Sequence, residues 1–281
     1  EHMVRFLHEQ SIGHGEATSF HPPPPDYISH QDEYLEQLHN LKAQLDIPII
    51  ASLNGTSDSG WIHYGKELQQ AGADALELNV YYVAADPDET SQDVEARYIN
   101  LLKSLRQHVS LPITMKLSSQ FSSIMYMAQQ LEAAGANGLA LFNRFYQPDV
   151  DLNNLNVIPK LELSSSMESL LRIRWVALLH GRVNLSLAVT GGFHTTEDIL
   201  KALLAGADVT HLCSALLHHG PEHITEILSD LNAWLEEHEY ESISQLKGSI
   251  SQEHAIEPAA YERANYVNVL DSFSHPSGVL R

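Results

Sequence analysis

The sequence predicts an α/β fold: parallel strands alternate with helices and close into a (β/α)8 TIM barrel, with the first two β/α elements missing from the sequence given. Three observations carry this. Ala-Gly-Ala followed by Asp or Asn occurs three times, at 71–74, 134–137 and 205–208, each time between a helical pattern and a short apolar run. Three further apolar runs interleave with these, and strand–helix alternation implies a parallel sheet with right-handed crossovers. Polar residues, Asn79, Lys116 and Asn143, stand at or near the C-terminal ends of the strands, the face on which such barrels build their sites. An early Gly-x-Gly-x-x-Gly, expected of a doubly wound sheet, is absent.

In chain order, residues 13–27 read as a loop stiffened by Pro22 to Pro25, and on topology that loop would cover the barrel mouth. A helical piece follows at 34–45. The first strand is Pro-Ile-Ile-Ala-Ser-Leu at 48–53, since proline is tolerated at a strand's first residue. Helix 61–70 ends in the first glycine box and strand 75–80 follows. The next strand, 112–117, again opens on proline. Helix 122–133, the second box and strand 138–143 form the next unit. Strand 184–190, helix 195–204, the third box and strand 209–214 complete the set. Residues 1–251 form one domain on this reading. The polar stretch 252–281 is a tail that wraps the surface or mediates contact in a homo-oligomer, a dimer.

Composition limits the function. Hydrophobic residues make up 43% and charged residues 19% of 281, as expected of a globular chain. Sixteen Lys and Arg against thirty-six Asp and Glu leave a charge of −20, which repels phosphate backbones and excludes nucleic acid as the expected partner. No apolar run is long enough to span a bilayer, so no membrane partner is expected. One cysteine rules out an intrachain disulfide and a cysteine-rich metal site, and the seventeen histidines are scattered along the chain, so no metal site is expected; a reducing, cytoplasmic location follows. Cys213, in an apolar run without nearby Lys or Arg, reads as a buried structural thiol.

The strongest local motif is Thr190-Gly-Gly-Phe-His-Thr-Thr-Glu-Asp198. Its glycines let backbone N–H groups approach an anion, and the helix that follows favours negative charge at its start. Ser214 closes the next strand. Turns after the last two strands are where barrels hold phosphate. Lys116, inside Ile-Thr-Met-Lys-Leu, needs an anion or the open mouth to offset its burial, and there it could steady developing negative charge. Asn79 and Asn143 could bond a planar polar ring.

These residues resemble the dihydroorotate dehydrogenase family over about 47–249. The likeness rests on Ile-Pro-Ile-Ile-Ala-Ser-Leu, Gly-Ala-Asp-Ala-Leu-Glu-Leu-Asn79, Pro-Ile-Thr-Met-Lys116-Leu and Val-Thr-Gly-Gly192. It continues through Ala-Leu-Leu-Ala-Gly-Ala-Asp, Ser214-Ala-Leu-Leu-His-His-Gly-Pro and Tyr240-Glu-Ser-Ile-Ser-Gln-Leu-Lys-Gly248. The resemblance implies an FMN-dependent oxidoreductase of CH–CH bonds, oxidising dihydroorotate or a related small molecule in pyrimidine biosynthesis. It places the FMN phosphate on Gly191, Gly192 and Ser214, with Thr190 and Cys213 also among the cofactor-binding residues, Lys116 at the flavin's pyrimidine side, and Asn79 and Asn143 on flavin or substrate. Four departures follow. Tyr82 stands where the family has its Cys or Ser base, and a phenol serves poorly unless its pKa is depressed. Ala84 replaces a ring-binding Asn. The substrate loop at 20–27 shares little with the family. Ser164-Ser-Ser-Met replaces a glycine pair. Two rivals remain: a flavin-free barrel lyase or isomerase acting on a phosphorylated metabolite through Lys116, and a non-catalytic FMN-binding relative.

Overall fold

The computed structural model describes residues 30–54 and 58–262, together with 266, 269 and 270. Helix α1 (His30–Gln44) leads into β1 (Ile50–Leu53), α2 (Asp58–Gln70) and β2 (Ala75–Asn79). Next come α3 (Ser91–Arg106), β3 (Ile113–Leu117), α4 (Ile124–Ala133) and β4 (Gly138–Leu141). A small hairpin, β5 (Asp149–Asp151) with β6 (Asn156–Ile158), precedes α5 (Ser169–Leu179) and β7 (Ser186–Thr190). Helix α6 (Thr196–Ala205), β8 (Val209–His211), α7 (Ser214–His219), α8 (His223–Glu237) and α9 (Ile243–Leu246) complete the order.

The six main strands pair in parallel as β1-β2-β3-β4-β7-β8. Residues of one parity face the helices: Leu76, Leu78, Ile113, Met115, Leu117, Leu139, Leu141 and Val189 are fully buried against Leu68, Leu102, Leu105, Met127, Leu131 and Val176. The opposite parity turns Glu77, Asn79, Thr114, Lys116, Ala140, Ala188, Thr190 and His211 to the inner face. On a flat sheet β2 and β8, four strand spacings apart, would stand about 19 Å from each other. Yet Glu77 Oε2 of β2 lies 3.9 Å from His211 Nδ1 of β8. The sheet is therefore curled as in a partial barrel, its two flanks meeting over a common interior.

The three glycine boxes do one job. Each places its glycine at positive φ, +100° at Gly72, +99° at Gly135 and +119° at Gly206, where a side chain would strain the turn. At Gly206 a Cβ would also meet His180 Cγ at 2.5 Å. The box's last residue then pins its strand to the previous one through both backbone and side chain. Asp74 N donates to Ile49 O while Asp74 Oδ2 accepts from Ile49 N at 2.6 Å. Asn137 does the same with Ile113, its Oδ1 accepting at 3.0 Å, and Asp208 with Leu187, its Oδ2 accepting at 2.8 Å. Asp208 also takes Lys247 Nζ at 2.5 Å. Asp208→Ala should leave the Leu187 amide short of a partner and lower stability by about 1–3 kcal/mol, read as a shift in the urea midpoint with an unchanged slope.

All six predicted strands are present within two residues of their expected starts, and α1 matches the helical piece at 34–45. The hairpin β5–β6 escaped the sequence because its strands are three residues each, too short for periodicity to register. Cys213 is a correction. The last strand stops at His211, so Cys213 falls in the turn ahead of α7 and its thiol is exposed rather than buried. Packing also continues past 251: Gln252 is buried and its N–H donates to Ala177 O. The proline loop at 22–25, the substrate loop at 20–27 and most of the tail beyond 262 lie outside the described residues.

Candidate active site

The end of β7 and the end of β8 are hydrogen-bonded neighbours, with Thr190 in register with His211. Gly191 and Gly192 follow β7 at φ +84° and +94°. Among the described residues, no hydrogen bond takes the amide N–H of Gly191, Gly192, Phe193, Cys213 or Ser214. Phe193 is 2% exposed, so its amide is both buried and unspent. Buried amides rarely go without a partner, and successive free N–H groups in a turn with positive φ form an anion-binding concavity.

Two elements build that turn. Thr195 and Asp198 cap α6 reciprocally, and Asp198 Oδ2 also accepts from His194 N at 3.1 Å and from Ser166 Oγ at 2.7 Å. The carboxylate thus ties the glycine turn to the serine segment at 164–166. Arg172 of α5, 6% exposed, donates from Nε to Thr190 O at 3.1 Å and from Nη1 to Glu168 O at 2.8 Å, which fixes the end of β7. Gly192 packs so closely on this segment that a Cβ would lie 2.4 Å from Ser169 N. Ser164 N in turn donates to Ser214 Oγ at 3.2 Å, joining the serine segment to the end of β8. His194 Nε2 meets Ser164 Oγ at 3.1 Å.

Across the interior, Lys116 is in register with Ala140, and Ala140 with Ala188, two residues before Thr190. Because every strand runs in the same direction, Lys116 and the glycine pair stand at one rim. The Lys116 ammonium is 3.3 Å from Glu77 Oε1, which also accepts from Ser52 Oγ at 2.8 Å. Glu77 is 7% exposed and His211 lies 3.9 Å from its other oxygen. Burial pushes the His211 pKa below its ordinary value, with Glu77 opposing and Lys116 assisting. Asn79, level with Lys116 and two residues beyond Glu77, accepts at Oδ1 from Asn143 Nδ2 at 2.5 Å, while Asn143 N donates to Leu117 O.

Tyr82, in the turn after β2, does not find the depressed pKa that a base needs. Its hydroxyl donates to Glu89 Oε2 at 2.5 Å, and that bond pushes the phenol pKa up; the Arg97 guanidinium, 4.0 Å over the ring, opposes this. Arg97 also holds Glu89 at 2.8 Å, and the two bonds draw the Glu89 pKa down.

Sequence reasoning placed the glycine pair, Ser214, Lys116, Asn79 and Asn143 at this rim. It missed Glu77, His211, Arg172 and Glu89. Only Glu77 carried a usable signal, as a carboxylate two residues before the strand asparagine in an otherwise apolar run.

A curled parallel barrel with an amide cradle at its last two turns and a charged interior defines a class: enzymes that hold a phosphate-bearing cofactor at the C-terminal mouth. Comparison with known proteins narrows it. The family model for dihydroorotate dehydrogenase matches residues 28–235. A dihydroorotate dehydrogenase A (fumarate) from Lactobacillus delbrueckii subsp. bulgaricus is 29% identical over 223 residues, covering 76% of this chain and 72% of that protein. A dihydroorotate dehydrogenase B (NAD(+)) catalytic subunit from Shouchella clausii is 28% identical over 211 residues, covering 72% and 68%. The chain belongs to the dihydroorotate dehydrogenase family, FMN-dependent oxidoreductases of CH–CH bonds. The residues present fit that cofactor: Phe193 carries a buried, unspent amide in the glycine turn after β7, and the amides of Cys213 and Ser214, also unspent, follow the neighbouring β8. Among the described residues no helix is long and apolar enough to cross a membrane.

Proposed function

We propose that the chain oxidises dihydroorotate, or a closely similar dihydropyrimidine, to its unsaturated product, the reaction named for its relatives, as a step of pyrimidine biosynthesis. The observation that supports this best is the cradle and the Lys116 ammonium sharing one rim. The amides of Gly191, Gly192, Phe193, Cys213 and Ser214 would hold the FMN phosphate, with Ser214 Oγ and the serine segment walling it. When bound, FMN supplies the acceptor for the substrate's hydride. Lys116 spends one N–H on Glu77 and keeps two for the anionic charge that develops beside it. Asn79 and Asn143 orient planar polar groups at the rim.

Proton removal falls to Tyr82 acting with Glu89. The phenol's own proton already points at Glu89, so its oxygen can take a proton from the substrate carbon as that proton passes to Glu89 Oε2. Both pKa shifts oppose transfer in the resting pair, so it proceeds only together with loss of the carbon's electron pair.

The test has two stages. Purified protein should bind FMN, seen in visible absorbance, and dihydroorotate should bleach it; a chain that neither retains nor rebinds FMN would overturn the reading. Tyr82→Phe and Glu89→Gln should each then slow bleaching by about 10²–10⁴-fold, and the double variant no further. Glu89, its pKa lowered, accepts only while ionised, so the rate should hold through neutral pH and fall as pH drops through that depressed pKa. Unchanged rates in Tyr82→Phe would remove the phenol from proton transfer.

A further inference from the structure

Glu77 is the buried carboxylate on which the interior converges. Ser52 reaches it from β1, Lys116 from β3 and His211 from β8. Those partners come from both flanks of the curled sheet, so Glu77 is placed by the barrel as a whole. It accepts from two donors through one oxygen, and among the described residues its other oxygen faces only the His211 ring. A buried carboxylate is costly unless paired. Here its partner is the ammonium that faces the cofactor, and an ammonium on a four-carbon stem takes its position from whatever it binds.

We propose that Glu77 is a positioning residue for the redox reaction: it anchors the Lys116 ammonium below the rim and, with His211, sets how much positive charge the bound cofactor meets. This rests on the FMN reading above. The cation beside the flavin is matched by an anion directly beneath it, so only part of its field reaches the cofactor. Remove the anion and the ammonium is both stronger in field and less well placed. His211 reports the arrangement without any cofactor, because the charged groups facing it are Glu77 of β2 and Lys116 of β3, acting in opposite directions.

The test begins with the cofactor-free chain. The His211 ring is followed by NMR titration, its signal assigned by loss in His211→Gln. Glu77→Gln should lower the imidazole's proton affinity by roughly three- to tenfold, and Lys116→Met should raise it by a similar factor. With FMN bound, Glu77→Gln should move the flavin midpoint to a more positive potential. It should also slow flavin reduction by about tenfold while FMN affinity stays within about threefold. Circular dichroism confirms that each variant is folded. Should Glu77→Gln bind FMN with the wild-type midpoint and reduction rate, the positioning role is overturned while the FMN reading stands. If the wild-type chain binds no FMN, that reading fails and the cofactor role falls with it. Unmoved His211 titration in both variants overturns the charge arrangement by itself.

Discussion

Gly192→Ala should destabilise the chain by upwards of about 3 kcal/mol and abolish FMN retention, the largest single-atom effect expected here. Two independent costs combine. At φ +94° the backbone is where an L side chain is strained by about 1–2 kcal/mol. The added Cβ would also lie 2.4 Å from Ser169 N and 2.8 Å from Glu168 C, both backbone atoms anchored by the start of α5. Neither can rotate away, so either the turn or the serine segment must move, and both wall the cradle. Gly191→Ala is the control. Its φ of +84° carries similar strain, but its Cβ would meet Arg172 Nη2 at 3.1 Å, the end of a side chain that can yield. Urea denaturation of both variants, with FMN binding measured by fluorescence, should therefore rank Gly192→Ala well below Gly191→Ala. Equal losses would show that the packing of the 165–169 segment on Gly192 is not what the turn depends on.

Lys116→Ala should cut flavin reduction by about 10²–10³-fold, the range found when a preorganised donor to developing charge is removed. Its effect on folding should be smaller, about 1–3 kcal/mol, because the lysine side chain is still 19% exposed and Ser52 continues to serve Glu77. The two effects separate in the double variant. Adding Glu77→Gln relieves the unpaired buried carboxylate, so stability should recover while the reduction rate does not. A double variant that regained its rate would show that Lys116 serves the fold and not the reaction. Stopped-flow bleaching and thermal unfolding measure the two sides.

The rim was legible in the sequence wherever a residue's role is set by its own strand. Glycine boxes mark helix ends, prolines mark strand starts, and a lysine in an apolar strand stands out by its cost. Those signals located six strands and put Lys116, Asn79, Asn143 and the glycine pair at one end. What the sequence could not convey is contact across the curl. Glu77 and His211 are 134 positions apart, and only closure of the sheet brings them together; likewise Arg172 sits on the far side of a crossover from the turn it braces. Cys213 failed for a different reason. Its run carries apolar residues at both ends, Val209 and Leu212, and nothing in composition says that pairing stops at His211, so an exposed turn residue looked like strand. Tyr82 was found by position, but its hydroxyl's partner, seven residues on, depends on the path of the intervening turn.

The pins supplied by Asp74, Asn137 and Asp208 fall between β1 and β2, β3 and β4, and β7 and β8. Among the described residues, the seams β2/β3 and β4/β7 have no such rivet at their strand starts and are joined there by ladder bonds and the helices laid over them. Mechanically the wall is three fastened couples of staves rather than six equal ones. Lys116 and Glu77 sit on opposite sides of an unriveted joint, so the salt link at the heart of the site also serves as the crosspiece holding two couples together.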